Sequence, residues 1–110
     1  MVGCAVVHSN GHTAAAMSTG GLMNKMTGRI GDSPLIGSGE GKAIICSTLA
    51  CDVTAVMEYR GAGLQEAIDY CVKERLDEGF IGLIAVSGTG KVAHGFNCTG
   101  MFSGKRDQII

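Results

Sequence analysis

Charge is scarce in this 110-residue chain. Charged residues make up 17% of it, the 9 Lys and Arg are interspersed with the 10 Asp and Glu, and the formal net charge is −1. No basic face is left for a nucleic-acid backbone or an anionic membrane surface, so neither is expected as a partner. Long hydrophobic runs are missing too, and none approaches the roughly 20 residues that cross a bilayer. No basic segment followed by an apolar run opens the sequence, so no signal peptide is read. The 5 cysteines are an odd number without a Cys-x-x-Cys pair. Each sits in an apolar strand or helix, where a thiol behaves as a small hydrophobe. The expectation is reduced, structural cysteines in a cytoplasmic protein. Cys46 and Cys51, five apart on one helix, splay their side chains and do not bridge. Proline occurs once.

Glycine and aliphatic residues fill the space. There are 18 glycines, and 45% of the chain is hydrophobic, which predicts a core, short strands and tight turns in a single domain over residues 1–110. Residues 2–8, VGCAVVH, read as a strand. Ser9-Asn10-Gly11 is its hairpin turn, with Asn-Gly supplying positive φ, and residues 12–18 return as a second strand. Both strands are nearly continuously apolar, as when both faces of a sheet are covered. His8 and His12 flank the turn as a possible two-ligand clip without a third ligand nearby.

A turn-rich loop over residues 19–39 follows. From Glu40 or Gly41 a helix is expected to about Tyr59, with Ile45, Leu49, Asp52/Val53 and Val56 on one face and Gly61 as its stop. A second helix runs from Leu64 to about Leu76. Leu64, Ile68, Cys71/Val72 and Leu76 face inward, and Gln65, Asp69 and Lys73 face outward. Residues 80–87, FIGLIAVS, form the most apolar strand, Gly88-Thr89-Gly90 turns it, and residues 91–96 pair back. The tail over residues 105–110 is expected to fray. Two hairpins covered by an antiparallel helix pair make an α+β arrangement. The helices suffice to cover one apolar face and not a second, which invites a partner.

The chemistry gathers between Ser18 and Gly41. Ser18-Thr19-Gly20-Gly21 places two hydroxyls beside glycines that permit close backbone approach. Arg29 and Asp32, three apart among small residues, either pair with each other or grip a zwitterion, guanidinium on carboxylate and carboxylate on ammonium.

STGG, NKM and GRIGDSPLIG, with MEYRG, GLIAVS and GFNCTGMF further on, together resemble the beta chain of plant-type L-asparaginases and isoaspartyl peptidases, which are N-terminal nucleophile hydrolases. The resemblance covers residues 2 to about 104. It implies one half of a four-layer αββα sandwich, a substrate such as asparagine or a β-aspartyl dipeptide, and association with an alpha chain or further copies. No cofactor is implied. A structural sodium belongs to the family, but its loop lies in the alpha segment, so no metal is assigned here.

In that family the beta chain begins with a threonine whose hydroxyl attacks the amide while its own amine acts as base. This sequence reads Met1-Val2-Gly3-Cys4, so Met1 stands at the nucleophile position, and a thioether has no proton to lose. Thr19 matches the supporting hydroxyl, Arg29 the α-carboxylate ligand and Asp32 the α-ammonium ligand. Ser38-Gly39, followed by Gly41, aligns with the threonine-glycine pair and later glycine that hold the amide oxygen and substrate. The strand-length segment before that pair is missing, and beyond Gly104 the residues KRDQII replace a cysteine-containing turn and last strand. The expectation is an impaired hydrolase or a non-catalytic, ligand-binding or decoy beta chain.

Overall fold

The computed structural model describes residues 2–21, 23, 27–28, 38–39, 48–76 and 81–107. Strands β1 (Val2–Val7) and β2 (Thr13–Ser18) form an antiparallel hairpin in which Val2 faces Ser18 and Val7 faces Thr13. A second sheet has the order β3-β4-β5, with β3 (Ser38–Gly39), β4 (Ile81–Val86) and β5 (Val92–Phe96) all antiparallel to their neighbours. Between β3 and β4 in the sequence lie helix α1 (Leu49–Arg60) and helix α2 (Leu64–Tyr70).

The two hairpins share one turn design. The His8 N–H donates to the His12 carbonyl at 2.8 Å, and the Gly11 N–H donates to the His8 carbonyl at 2.9 Å. Ser87 and Lys91 repeat the first bond at 2.9 Å, and Gly90 to Ser87 repeats the second at 3.0 Å. These are three-residue loops closed by a left-handed glycine, Gly11 at φ 86° and Gly90 at φ 87°. Positive φ therefore falls on Gly11 alone and not on the Asn-Gly pair. Asn10 acts instead through its side chain, accepting from the His12 N–H at 3.1 Å, while its own N–H donates to His8 Nδ1 at 3.3 Å. The two turns touch: a Cβ on Gly88 would meet the Gly11 carbonyl oxygen at 3.0 Å.

The core lies where the helices cover β4 and β5. Leu49, Val53 and Val56 of α1 meet Ala67 and Ile68 of α2 and Ile81, Leu83 and Ala93 of the sheet. The inward face expected for the second helix is observed, with Ile68, Cys71 and Val72 buried and Leu64 and Leu76 half-buried. Its last turn differs from expectation, since residues Cys71–Arg75 wind as a π-helix before Leu76 turns extended.

Helix α1 also differs. It starts at Leu49 because Thr48 sits in the left-handed region at φ 45°, ψ 44°, which an α-helix cannot pass through. Residues 40–47, where the start was expected, lie outside the described residues. Gly61, left-handed at φ 67°, ends α1 as expected. An ion pair between Asp52 and Arg75 at 3.3 Å ties the start of α1 to the far end of the second helix. The Arg60 guanidinium stacks over the Tyr70 ring, 4.6 Å from its centroid.

The hairpin β1–β2 departs from the two-sided burial its apolarity predicts. Its residues are mainly exposed, with Val2 at 72% and Val6 at 56%. The helix pair lies on β4–β5, and β1 makes its contacts outside its own hairpin mainly with β4.

Candidate functional site

A groove of about 380 Å³ runs between β1 and β4. Val2, Cys4 and Met17 wall it on the hairpin side, Gly82 and Ile84 on the β4 side, and Met101 from the exit segment closes over it. Gly82 is what admits Met101, since any Cβ there would overlap the methionine sulfur. Met101 therefore rests on β4. Phe102 is fully exposed.

Strand register sets Thr19 and the Ser38-Gly39 pair next to residues that line this groove, although none of the three lines it. Val2 lines it and pairs with Ser18, so Thr19 lies one residue past the end of β2, at the end of the hairpin where β1 begins. Thr19 is exposed, and its Oγ1 accepts from the Gly21 N–H at 3.0 Å. Accepting that bond leaves the hydroxyl its own proton to donate. In the other sheet, Ser38 pairs with Gly82, which lines the groove, and Gly39 pairs with Ile81. Backbone pairing thus sets Thr19 one residue past the partner of Val2 and Ser38 opposite Gly82, and Val2 and Gly82 line the groove from the two sheets. Met1, Arg29, Asp32 and Gly41 lie outside the described residues.

Among the described residues, no three His, Cys, Asp or Glu side chains stand close enough to hold a metal ion. The His8 ring accepts from the Asn10 N–H and so stabilises its own turn. Cys4, Cys51, Cys71 and Cys98 are free thiols, and only Cys71 is fully buried. Cys4 and Cys51 lie in a strand and a helix as expected, but both are exposed, so they do not pack as small hydrophobes in a core. Burial, and then the nearby Asp52 carboxylate, push the Cys71 thiol pKa above its ordinary value. Sequence reasoning did not find the groove itself. Its one local signal was Gly82, a residue without a side chain inside the most apolar strand.

The sequence model of the asparaginase family matches residues 1–109. The chain belongs to that family. It is similar to a probable isoaspartyl peptidase/L-asparaginase 2 of Arabidopsis thaliana, 63% identical over 116 residues that take in 94% of this chain and 36% of the relative. It is 40% identical over 117 residues to the isoaspartyl peptidase of Escherichia coli K12, with 92% of this chain and 36% of that protein covered. The human isoaspartyl peptidase/L-asparaginase is 37% identical over 106 residues, with 81% of this chain and 34% of that protein covered. The asparaginase-family chain therefore spans about a third of the length of the relatives it matches. The match to the Arabidopsis relative extends over more positions than this chain has residues, so some of that stretch has no counterpart here.

Proposed function

We propose that this chain is a beta-chain-like unit of an asparaginase/isoaspartyl peptidase, one half of an αββα sandwich, whose hydrolytic chemistry is impaired at its first residue. The observation that carries the reading is a family match over residues 1–109 in which position 1 is methionine. The thioether sulfur is bonded to two carbons and cannot deliver a proton to a base while attacking an amide carbonyl. The remaining constellation supports recognition of an aspartate-like group. In it Thr19 is the supporting hydroxyl, Arg29 and Asp32 clamp the α-carboxylate and α-ammonium, and Ser38, Gly39 and Gly41 cradle the amide oxygen. The relatives' names carry asparagine and isoaspartyl peptides, and these are the substrates proposed for this chain.

The test is ammonia release from L-asparagine, and aspartate release from a β-aspartyl dipeptide, by the purified chain. A Met1→Thr form with the threonine as free N-terminus is run beside it, each with and without a family alpha chain. The expected result is turnover by the Met1→Thr form with the alpha chain, and a rate lower by several orders of magnitude in the unaltered chain. Equal rates would overturn the reading.

A second reading is favoured by the exposed β1–β2 hairpin: a non-catalytic beta chain that docks onto an asparaginase alpha chain or onto further copies of itself. Val2 and Val6 leave an apolar face that association would bury. Co-purification with an alpha chain supports it, and a monomer at micromolar concentration in the presence of that chain contradicts it. Titration with L-aspartate, with Arg29→Ala as control, tests the clamp separately. A cytoplasmic location is part of the proposal, resting on the odd cysteine count of the sequence.

A further inference from the structure

Strand β5 ends the β3-β4-β5 sheet, and among the described residues no strand pairs with its outer edge. The ladder to β4 fixes which groups face outward. Ser87 and Lys91 are hydrogen-bonded partners, as are Ile81 and Asn97. By alternation, the N–H and C=O of Val92, His94 and Phe96 point away from β4. His94 is the midpoint of this five-residue edge.

Both outward groups of His94 are occupied, by one side chain. Gln65 Nε2 donates to the His94 carbonyl at 2.9 Å, and the His94 N–H donates to Gln65 Oε1 at 3.3 Å. A primary amide offers a donor and an acceptor side by side, as one residue of a neighbouring strand does. The second N–H of Gln65 donates to Asp69 Oδ1 at 3.0 Å, one helical turn on, which holds the amide with its nitrogen toward the carbonyl. Helix α2 is itself fixed on β5, with Ile68 seated directly on Gly95. The glutamine is therefore presented from a rigid element.

We propose that Gln65 is a plug that closes the outer edge of β5 to strand addition by a second copy of this chain. A plug at the midpoint leaves no incoming strand more than one outward position on either side, too little for a ladder. The occupant excluded is β5 of another copy. Two such edges related by a two-fold axis through His94 pair antiparallel, residue 92 opposite 96, with the exposed Val92 and Phe96 side chains brought together. The plug is independent of the groove and of any hydrolytic activity.

The test compares the unaltered chain with Gln65→Leu, which keeps the volume and removes both polar groups. Sedimentation velocity over a concentration series and amide exchange at His94 are read together. The expected result is self-association strengthened about tenfold or more, with the His94 amide protected increasingly as concentration rises. Adding Val92→Pro, which removes an outward edge donor while sparing the β4 ladder, is expected to reverse it. Should Gln65→Leu fail to fold, Gln65→Glu carries the test: it keeps the acceptor, loses the donor to the His94 carbonyl, and is expected to associate to a smaller degree. Unchanged association in the folded variant, or His94 exchange that is faster yet independent of concentration, would overturn the proposal and leave Gln65 a clip between helix and strand.

Discussion

Ile68 rests on the bare backbone of Gly95. A Cβ at position 95 would stand 2.6 Å from Ile68 Cγ2 and 3.4 Å from Val72 Cγ2, and Ile68 is fully buried. This contact sets the distance of α2 from β5 and so the reach of Gln65 to His94. Gly95→Ala forces a stiff β-branched side chain to move and is expected to destabilise the chain by about 1–3 kcal/mol. Gly82→Ala meets only the flexible end of Met101 and is expected to cost less than about 1 kcal/mol, with the groove reshaped. Urea denaturation midpoints of the two variants check the contrast.

Leu49 and Ile68 anchor the core from the two helices, at 1% and 0% exposure. Truncating either to alanine is expected to cost about 2–5 kcal/mol. Val6→Ala on the exposed hairpin is expected to change stability by less than about 0.5 kcal/mol in the isolated chain. Thermal melts of the three variants separate core from uncovered surface.

Cys71 gives the chain an alkaline weakness. Its folded pKa is raised, so on raising pH the unfolded chain loses this proton first, and from there the folded state binds more protons than the unfolded. Stability from this group is complete below the ordinary thiol pKa and is lost as pH climbs through the raised folded value. Denaturant midpoints between neutral pH and the alkaline range are expected to fall more steeply in the unaltered chain than in Cys71→Ala. Thiol labelling is expected to reach Cys4 and Cys51 well before Cys71.

The Asp52–Arg75 pair joins the helices through groups that are 29% and 52% exposed. Arg75→Ala is expected to cost no more than about 1 kcal/mol, and less as salt is raised, because solvent screens the attraction. Melts at low and high salt measure the difference.

Local chemistry was readable from the sequence, and long-range pairing was not. Ser9-Asn10-Gly11 and Gly88-Thr89-Gly90 announced two hairpins, and Gly61 the end of a helix, because turns and caps depend on neighbours a few residues apart. Ile68, Cys71 and Val72 announced a buried face through helical spacing. The left-handed Thr48 had no such signature, since threonine rarely adopts that region. Gln65 faces outward as its spacing predicts, but its bond to the His94 backbone had no local signal, because that partner lies 29 positions on. Thr19 and Ser38-Gly39 were singled out through family motifs, whereas the groove near them arises from Gly82 and Met101, brought together only by the fold.

The most direct measurement of the central claim is the intact mass of the chain, supplied with a family alpha chain, after rapid quenching from a β-aspartyl substrate. The account predicts an unmodified mass for the Met1 form and an aspartyl adduct on residue 1 of the Met1→Thr form. An aspartyl adduct on any residue of the Met1 form would contradict it.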